Sequence, residues 1–259
     1  MWDVHQYRKF SAERSRPFYD LLARVPDYPV AAAADLGCGP GDLTRVLADR
    51  WPRARVTGVD SSQEMLAAAR ESALPGRLEF IQADAATWDP PAPLDLVVSN
   101  AALQLIPDHE GLLPRLAGLV APGGVLAVQM PANAAEPIHT ALAETAREGT
   151  WREKCADARL PSPLREPRWY VETLGGLGFE VDAWTAVYLH LLPGRDPVLE
   201  WSRGSTLRPM LERLDGRERA EFEEAYGARL RRAYPRIAGG TLFPFPRFLF
   251  VARRGRVTV

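Results

Sequence analysis

A chain of 259 residues with 46% hydrophobic content can bury a sizeable core, and its length suits one large domain or one domain with a cap. The formal net charge of -1 excludes the global basic field that draws proteins onto nucleic acid or anionic membranes, so neither is an expected partner. Cys38 and Cys155 make neither a disulfide framework nor a metal-ligand cluster, no window approaches a membrane span, and a soluble, cytoplasmic protein is expected.

Residues 1–29 read as an N-terminal arm. From about residue 30, short β-type runs alternate with helical patterns. Strands are expected at VAAAADL, ARVTGVD, RLEFIQA, LDLVVSN and GVLAVQM. Between them, LTRVLADRW, SQEMLAAARESA and HEGLLPRLAGLV carry apolar residues at helical spacing, with Asp42, Ser62 and Asp108 placed as N-caps. This alternation predicts an α/β fold, a mostly parallel sheet with helices on both faces and right-handed crossovers. After Met130 comes a helical stretch from about Glu136 to Glu148, then the proline-rich LPSPLREPRW, which breaks regular structure. FEVDAWTAVYLHLL and FPRFLFVARR read as two long strands, separated by mostly helical sequence that includes RERAEFEEAYGARLRRAY. Segments of about 132–178 and 193–243 are expected to form a helical lid on a single domain spanning 1–259.

The chemistry concentrates in ADLGCGPGDLTRVLADRW, residues 34–51, where Gly37, Gly39 and Gly41 join a strand to a helix. Such a loop lets backbone approach a ligand closely, and the helix start offers unpaired N–H groups. A triphosphate loop needs Gly followed by Lys and Ser or Thr, whereas Asp-Leu-Thr follows Gly41. A dinucleotide loop is closer, because Asp60 closes the second strand where a carboxylate accepts both ribose hydroxyls. Charge separates the two adenosine-type ligands. Asp35 and Asp42 flank the place a pyrophosphate would lie, which disfavours an anion and suits a ligand bearing an ammonium and a sulfonium. The bland alternatives are a loop-bracing role for Asp35 and an N-cap role for Asp42. Further along, Asp84 ends the third strand and Asn100 the fourth, at the edge where ligands of open α/β sheets bind.

In order, DLGCGPG, VTGVDSS, QADAATW, LVVSNAALQ and APGGVLAVQ resemble the class I S-adenosylmethionine-dependent methyltransferases. The resemblance implies a Rossmann-like, seven-stranded sheet whose last strand, FPRFLFVARR, is antiparallel. It implies that Gly37 and Gly39 approach the methionine end of the cofactor, Asp60 the ribose, Met65 an adenine face, and Asp84 with Ala85 the adenine edge. Ser61, Asn100 and Gln104 complete the expected cofactor set, and Met65 remains open to a plain core role. Tyr7 and Phe10 are expected either to close over the cofactor or to staple the arm to the core.

YRKFSAERSRPFYDLLARVP resembles the start of the trans-aconitate 2-methyltransferase family, and the likeness continues through RWPRARVTGVDSSQEML, NAALQLIPDH, GVLAVQMP, LRP at 207–209 and FPRFLFVARR. Leu105 and Ala134 depart from the family's bulkier aromatics, which bears on the shape of the acceptor pocket. The implied reaction esterifies one carboxylate of a small polycarboxylate. An acceptor carboxylate is already ionised near neutral pH, so no catalytic base is expected and the work reduces to alignment and exclusion of water. Arginine forks suit the holding of the other carboxylates. Arg14, Arg208 and Arg247, with Tyr170 and Trp201 from the lid, are the candidate substrate contacts. Their alternatives are a local ion pair for Arg14 and a protective edge-strand charge for Arg247. His109 reads as a solvated residue at a helix start, His5, His139 and His190 share no ligand spacing, and no metal is expected. Three other readings stay open: another small or carrier-bound acid as acceptor, a nicotinamide-dependent oxidoreductase, and a cofactor-binding protein without catalysis.

Overall fold

Residues that alternate in period two along the strands face two different layers, and that alternation sets the architecture. The computed structural model describes residues 10–158, 162–204 and 206–256. The first half runs α1 (Ser11–Arg24), β1 (Ala32–Leu36), α2 (Asp42–Arg50), β2 (Arg55–Asp60), α3 (Gln63–Ala69), β3 (Leu78–Gln82), β4 (Leu94–Asn100), α4 (His109–Leu119) and β5 (Val120–Pro131). The second half runs α5 (Pro137–Ala146), α6 (Arg152–Cys155), α7 (Pro167–Gly176), β6 (Phe179–Leu192), α8 (Pro197–Arg203), α9 (Arg208–Leu211), α10 (Gly216–Ala233), β7 (Arg236–Ile237) and β8 (Gly240–Arg254).

The strands form one sheet in the order β3-β2-β1-β4-β5-β8-β6. β1 to β5 pair in parallel, and β8 runs antiparallel between β5 and β6. The seven expected strands are joined by an eighth, the two-residue β7, which pairs with the start of β8. On one face Leu126 and Val128 of β5 and Phe248 and Phe250 of β8 pack with α4 and α7. On the other, Val125, Ala127, Leu249 and Val251 pack with Phe18, Leu21 and Leu22 of α1 and with α2. A third cluster joins α5, α8 and α10 to Phe243 and Phe245, so this helical layer covers the part of β8 that projects past the parallel strands. Among the described residues no helix is long and apolar enough to cross a membrane.

Two of the expected caps form as read. Ser62 accepts from the Met65 N–H at 3.2 Å, and Asp108 accepts from the Gly111 N–H at 3.0 Å. Asp42 does not cap α2. Gly41, at φ 80°, occupies that position, because the chain must turn sharply out of the glycine loop, and Asp42 follows as the first helical residue.

The order of strands reverses between β1 and β4, which opens a crevice above their C-terminal ends. Gly41 fixes how α2 leaves that crevice. A Cβ there would lie 2.7 Å from Phe80 and 2.9 Å from Ala69. Gly41→Ala is therefore expected to cost roughly 2–4 kcal/mol, from a positive φ and an overpacked contact together. Urea unfolding checks this, and a loss below about 1 kcal/mol would show that the loop relaxes at little cost.

Candidate active site

The glycine loop leaves β1 at Leu36 and is tied to the neighbouring strand, since the N–H groups of Gly37 and Cys38 both donate to the Val59 carbonyl, at 2.7 and 3.0 Å. Gly37 and Gly39 hold φ of 76° and 56°. Their surroundings differ. A Cβ on Gly37 would fall 2.1 Å from the Ala102 Cβ, whereas a Cβ on Gly39 would meet nothing within 4 Å. Gly37 is thus needed for packing, while Gly39 presents bare backbone to open space.

Two carboxylates support the loop from below. Asp60 accepts from the Gly39 N–H at 2.9 Å with one oxygen and from the Ser62 N–H at 2.8 Å with the other, locking the loop to the start of α3. Asp35 is buried and accepts from the Thr44 hydroxyl at 2.7 Å. Burial foremost, then the nearby Asp60 charge, pushes Asp35 up to about 7, against the opposing pull of the Thr44 hydrogen bond. The same causes, burial first and then Asp35 and Asp60, push the Cys38 thiol upward, so it stays protonated and is no nucleophile at neutral pH.

Two cavities lie here. A small one of about 70 Å³ lies over the loop, lined by Asp35, Gly37, Gly39, Asp42 and Asn100 among others. A larger one of about 590 Å³ lies beyond it, walled by the 101–107 and 131–139 segments, Trp201 and β8. Arg14 lines both. Ala101, between β4 and the larger cavity, is a non-glycine residue at φ 56°, a strained backbone of the kind that clusters at functional sites.

The larger cavity is basic on one side. Arg247 is 2% exposed and donates to the Gln129 side-chain oxygen at 3.1 Å, with its guanidinium 4.3 Å from the Phe245 ring. Arg14 lies 4.5 Å over the Trp201 ring. His190, stacked on Trp201 at 5.4 Å, registers the field: burial, then the charges of Arg247, Arg16 and Arg14, push it down to about 4.

The structure brings together Gly37, Gly39 and Asn100 at the small cavity, Gln104, Trp201 and Arg247 at the larger one, and Arg14 between. Asp60, Ser61, Met65, Asp84 and Ala85 line neither cavity; they cluster beside the loop, at and after the C-terminal ends of β2 and β3. Met65 is buried, and Asp84 accepts from the Ala86 N–H at 2.8 Å. Tyr7 lies outside the described residues. Phe10 is buried 5.0 Å from Trp201 in the third hydrophobic cluster, a placement that suits a staple of the arm.

Two expected substrate contacts are corrected. Tyr170 sits in the core between the sheet and α4, with its hydroxyl 2.6 Å from His109 Nδ1, so its polar end is already engaged. Arg208 pairs with Glu212 at 2.7 Å one turn along and is absent from the wall of either cavity. His109 is likewise buried rather than solvated. Its Nε2 lies 2.9 Å from the Leu103 carbonyl, which can only accept, so Nε2–H donates, and in that tautomer Nδ1 accepts from Tyr170. Sequence reading missed Asn133, His139 and Thr206, which line the larger cavity from the lid. Among the described residues no three His, Cys, Asp or Glu side chains form a group able to hold a metal ion.

This fold, with its glycine-loop crevice, defines a Rossmann-like methyltransferase. A methyltransferase-domain family model matches residues 33–124. Among solved structures, a methyltransferase from Bacillus halodurans, itself named as putative, is similar at a TM-score of 0.57 and 15% identity, covering 92% of this chain and 98% of that one. Phosphoethanolamine N-methyltransferase 2 of Haemonchus contortus, solved with S-adenosyl-L-methionine, is similar at a TM-score of 0.53 and 20% identity, over 92% of this chain and 52% of that one.

Among sequences, the trans-aconitate 2-methyltransferase of Streptomyces avermitilis is 48% identical, covering 98% of this chain and 97% of that one. That of Shigella dysenteriae is 45% identical, covering 98% of each. The chain belongs to the trans-aconitate 2-methyltransferase family.

Asp35 gives a pH prediction. Its folded value lies above the ordinary one, so the folded chain binds the proton more tightly and loses stability as pH rises from about 4 to about 7. Asp35→Asn removes the buried charge and keeps an acceptor for Thr44. Relative to the unchanged protein, the variant is expected to gain roughly 2–3 kcal/mol of stability between about pH 5 and about pH 8. Parallel unfolding curves at both pH values check the sign, and a constant difference would show that Asp35 titrates normally.

Proposed function

We propose that this chain transfers a methyl group from S-adenosylmethionine to one carboxylate of trans-aconitate, releasing a monomethyl ester. The observation that carries this reading is that Arg14 lines both a small cavity walled by Asp35 and Asp42 and a larger one walled by Arg247. A cation-bearing cofactor suits the first and a polyanionic acceptor the second. The family membership supports both assignments.

The residues present fit the cofactor. Gly39 offers backbone to open space, and the buried Asn100 Oδ1 has no hydrogen-bond partner, so it is ready to accept from an ammonium. Gly37, Gly39, Asn100 and Gln104 would hold the methionine end, Asp60 and Ser61 the ribose, and Met65, Asp84 and Ala85 the adenine. When bound, S-adenosylmethionine supplies an electrophilic methyl group on a sulfonium. Asp35 and Asp42 keep this compartment hostile to a pyrophosphate, which weakens the dinucleotide reading.

The acceptor needs no base, since its carboxylates are ionised near neutral pH. Arg247 and Arg14 would grip the carboxylates that are not methylated, with Trp201 as an apolar wall. The lid helices would exclude water from the reacting oxygen. Leu105 and Ala134, the two departures from the family pattern, both line the larger cavity, so they shape the acceptor's side of it.

Initial rates with trans-aconitate, cis-aconitate, citrate and isocitrate test the acceptor, with trans-aconitate expected to be fastest. Negligible turnover of trans-aconitate would defeat the reading. Arg247→Gln is expected to raise the acceptor KM about tenfold or more and to leave the S-adenosylmethionine KM nearly unchanged. Arg208→Gln, on an exposed pair, is expected to change neither. Equal effects of the two substitutions would count against Arg247 as an anchor.

A further inference from the structure

The larger cavity presents buried polar atoms, of which the reaction described so far uses only that of Gln104. Gln104 Oε1, His139 Nδ1 and Thr206 Oγ1 each line it without a hydrogen-bond partner. They differ in sign. An amide oxygen only accepts, so Gln104 Oε1 repels a carboxylate and suits an N–H group. An imidazole Nδ1–H and a hydroxyl can both donate, so His139 and Thr206 suit an anion.

His139 is held with unusual firmness for a residue on a lid. It is 7% exposed, in the first turn of α5. The residue before it, Ile138, has both backbone groups engaged by buried tyrosines. Its N–H donates to the Tyr234 hydroxyl at 3.2 Å, and its carbonyl accepts from the Tyr226 hydroxyl at 2.7 Å. The His139 N–H itself donates to the Glu136 carbonyl at 2.8 Å, and Pro137 has no N–H to give. With the amides of this turn occupied or missing, the imidazole is the donor that the turn offers to the cavity. Burial pushes His139 down to about 4, so the ring is neutral near pH 7 and carries one N–H. With that N–H on Nδ1, it is a buried donor without an acceptor, an unfavourable state that an incoming carboxylate would relieve.

We propose that His139, assisted by the Thr206 hydroxyl, is a specificity-determining contact that donates to an acceptor carboxylate not gripped by Arg14 and Arg247. This rests on the reading of the larger cavity as a polycarboxylate site. It adds a neutral donor to two guanidinium forks, and a donor on the lid makes lid position sensitive to how many carboxylates the acceptor carries.

The test uses the whole chain with His139→Leu and His139→Asn, the second of which places an amide N–H near the Nδ1 position. Calorimetry with trans-aconitate in the presence of S-adenosylhomocysteine gives Kd, and steady-state rates give both KM values. Itaconate, glutaconate and mesaconate, each lacking a different one of the three carboxylates of trans-aconitate, serve as competitive inhibitors. His139→Leu is expected to weaken trans-aconitate about tenfold or more in Kd and KM, with the S-adenosylmethionine KM and the melting temperature held. His139→Asn is expected to recover most of that loss. For the dicarboxylate that lacks the carboxylate read by His139, Ki is expected to be the same in the leucine variant as in the unchanged protein.

Unchanged trans-aconitate binding in His139→Leu, equal weakening in both variants, or equal weakening of trans-aconitate and all three dicarboxylates would overturn the proposal. Should the leucine variant fail to fold, His139→Gln takes its place with the same expected loss. If the unchanged protein neither binds nor methylates trans-aconitate, the acceptor reading falls and this inference with it. If it does both and His139→Leu matches it, only this inference falls.

Discussion

A carboxylate buried at the end of β1, with a threonine hydroxyl as hydrogen-bond donor and a second carboxylate close by, is the constraint from which the site follows. The nearby Asp60 charge adds to the cost of ionising the buried Asp35, and the fold tolerates the two because loop amides and Thr44 supply donors. Removing water from such a pair leaves a negative compartment beneath the bare backbone of Gly39. An anion there would be repelled, and a cation would be drawn in.

The opposite charge arrives by topology. β8 is antiparallel to β5, so its early residues lie at the edge where the parallel strands end, and Arg247 pairs in register with Pro131. A residue near the end of the chain is thereby placed beside loops that follow β4 and β5. Arg14, delivered by α1 from the beginning of the chain, closes the gap between the compartments. The lid cluster fixes both arginines indirectly, because Trp201 and Phe245, whose rings they overlie, are packed with Phe10 and Phe243. Charge separation over one crevice thus depends on segments from both ends of the chain folding onto a single sheet edge.

What the sequence disclosed was the local part. Period-two runs, glycine spacing and the Ser62 and Asp108 caps depend on neighbours within a few residues, and they were readable. The placement of Gly39, Asp60 and Asn100 at the crevice edge was readable for the same reason: it follows from strand ends and the loop between them. Tyr170 was misjudged because its partner, His109, lies 61 positions away and nothing local announces that bond. His139 gave no signal at all, since its role rests on two tyrosines from the far side of the lid. Arg208 is the instructive case. Glu212 stands four residues on, the spacing of a helical ion pair, and that simpler pattern outweighs a conjectured ligand.

Charge is opposed within one crevice: negative beneath the glycine loop, positive beside β8. Calorimetric titration with S-adenosylhomocysteine, an ammonium-bearing ligand, and separately with NADH, a pyrophosphate-bearing one, tests it most directly. Saturable binding of the first with none of the second is the predicted result. Saturation by NADH with no heat from S-adenosylhomocysteine would contradict the account.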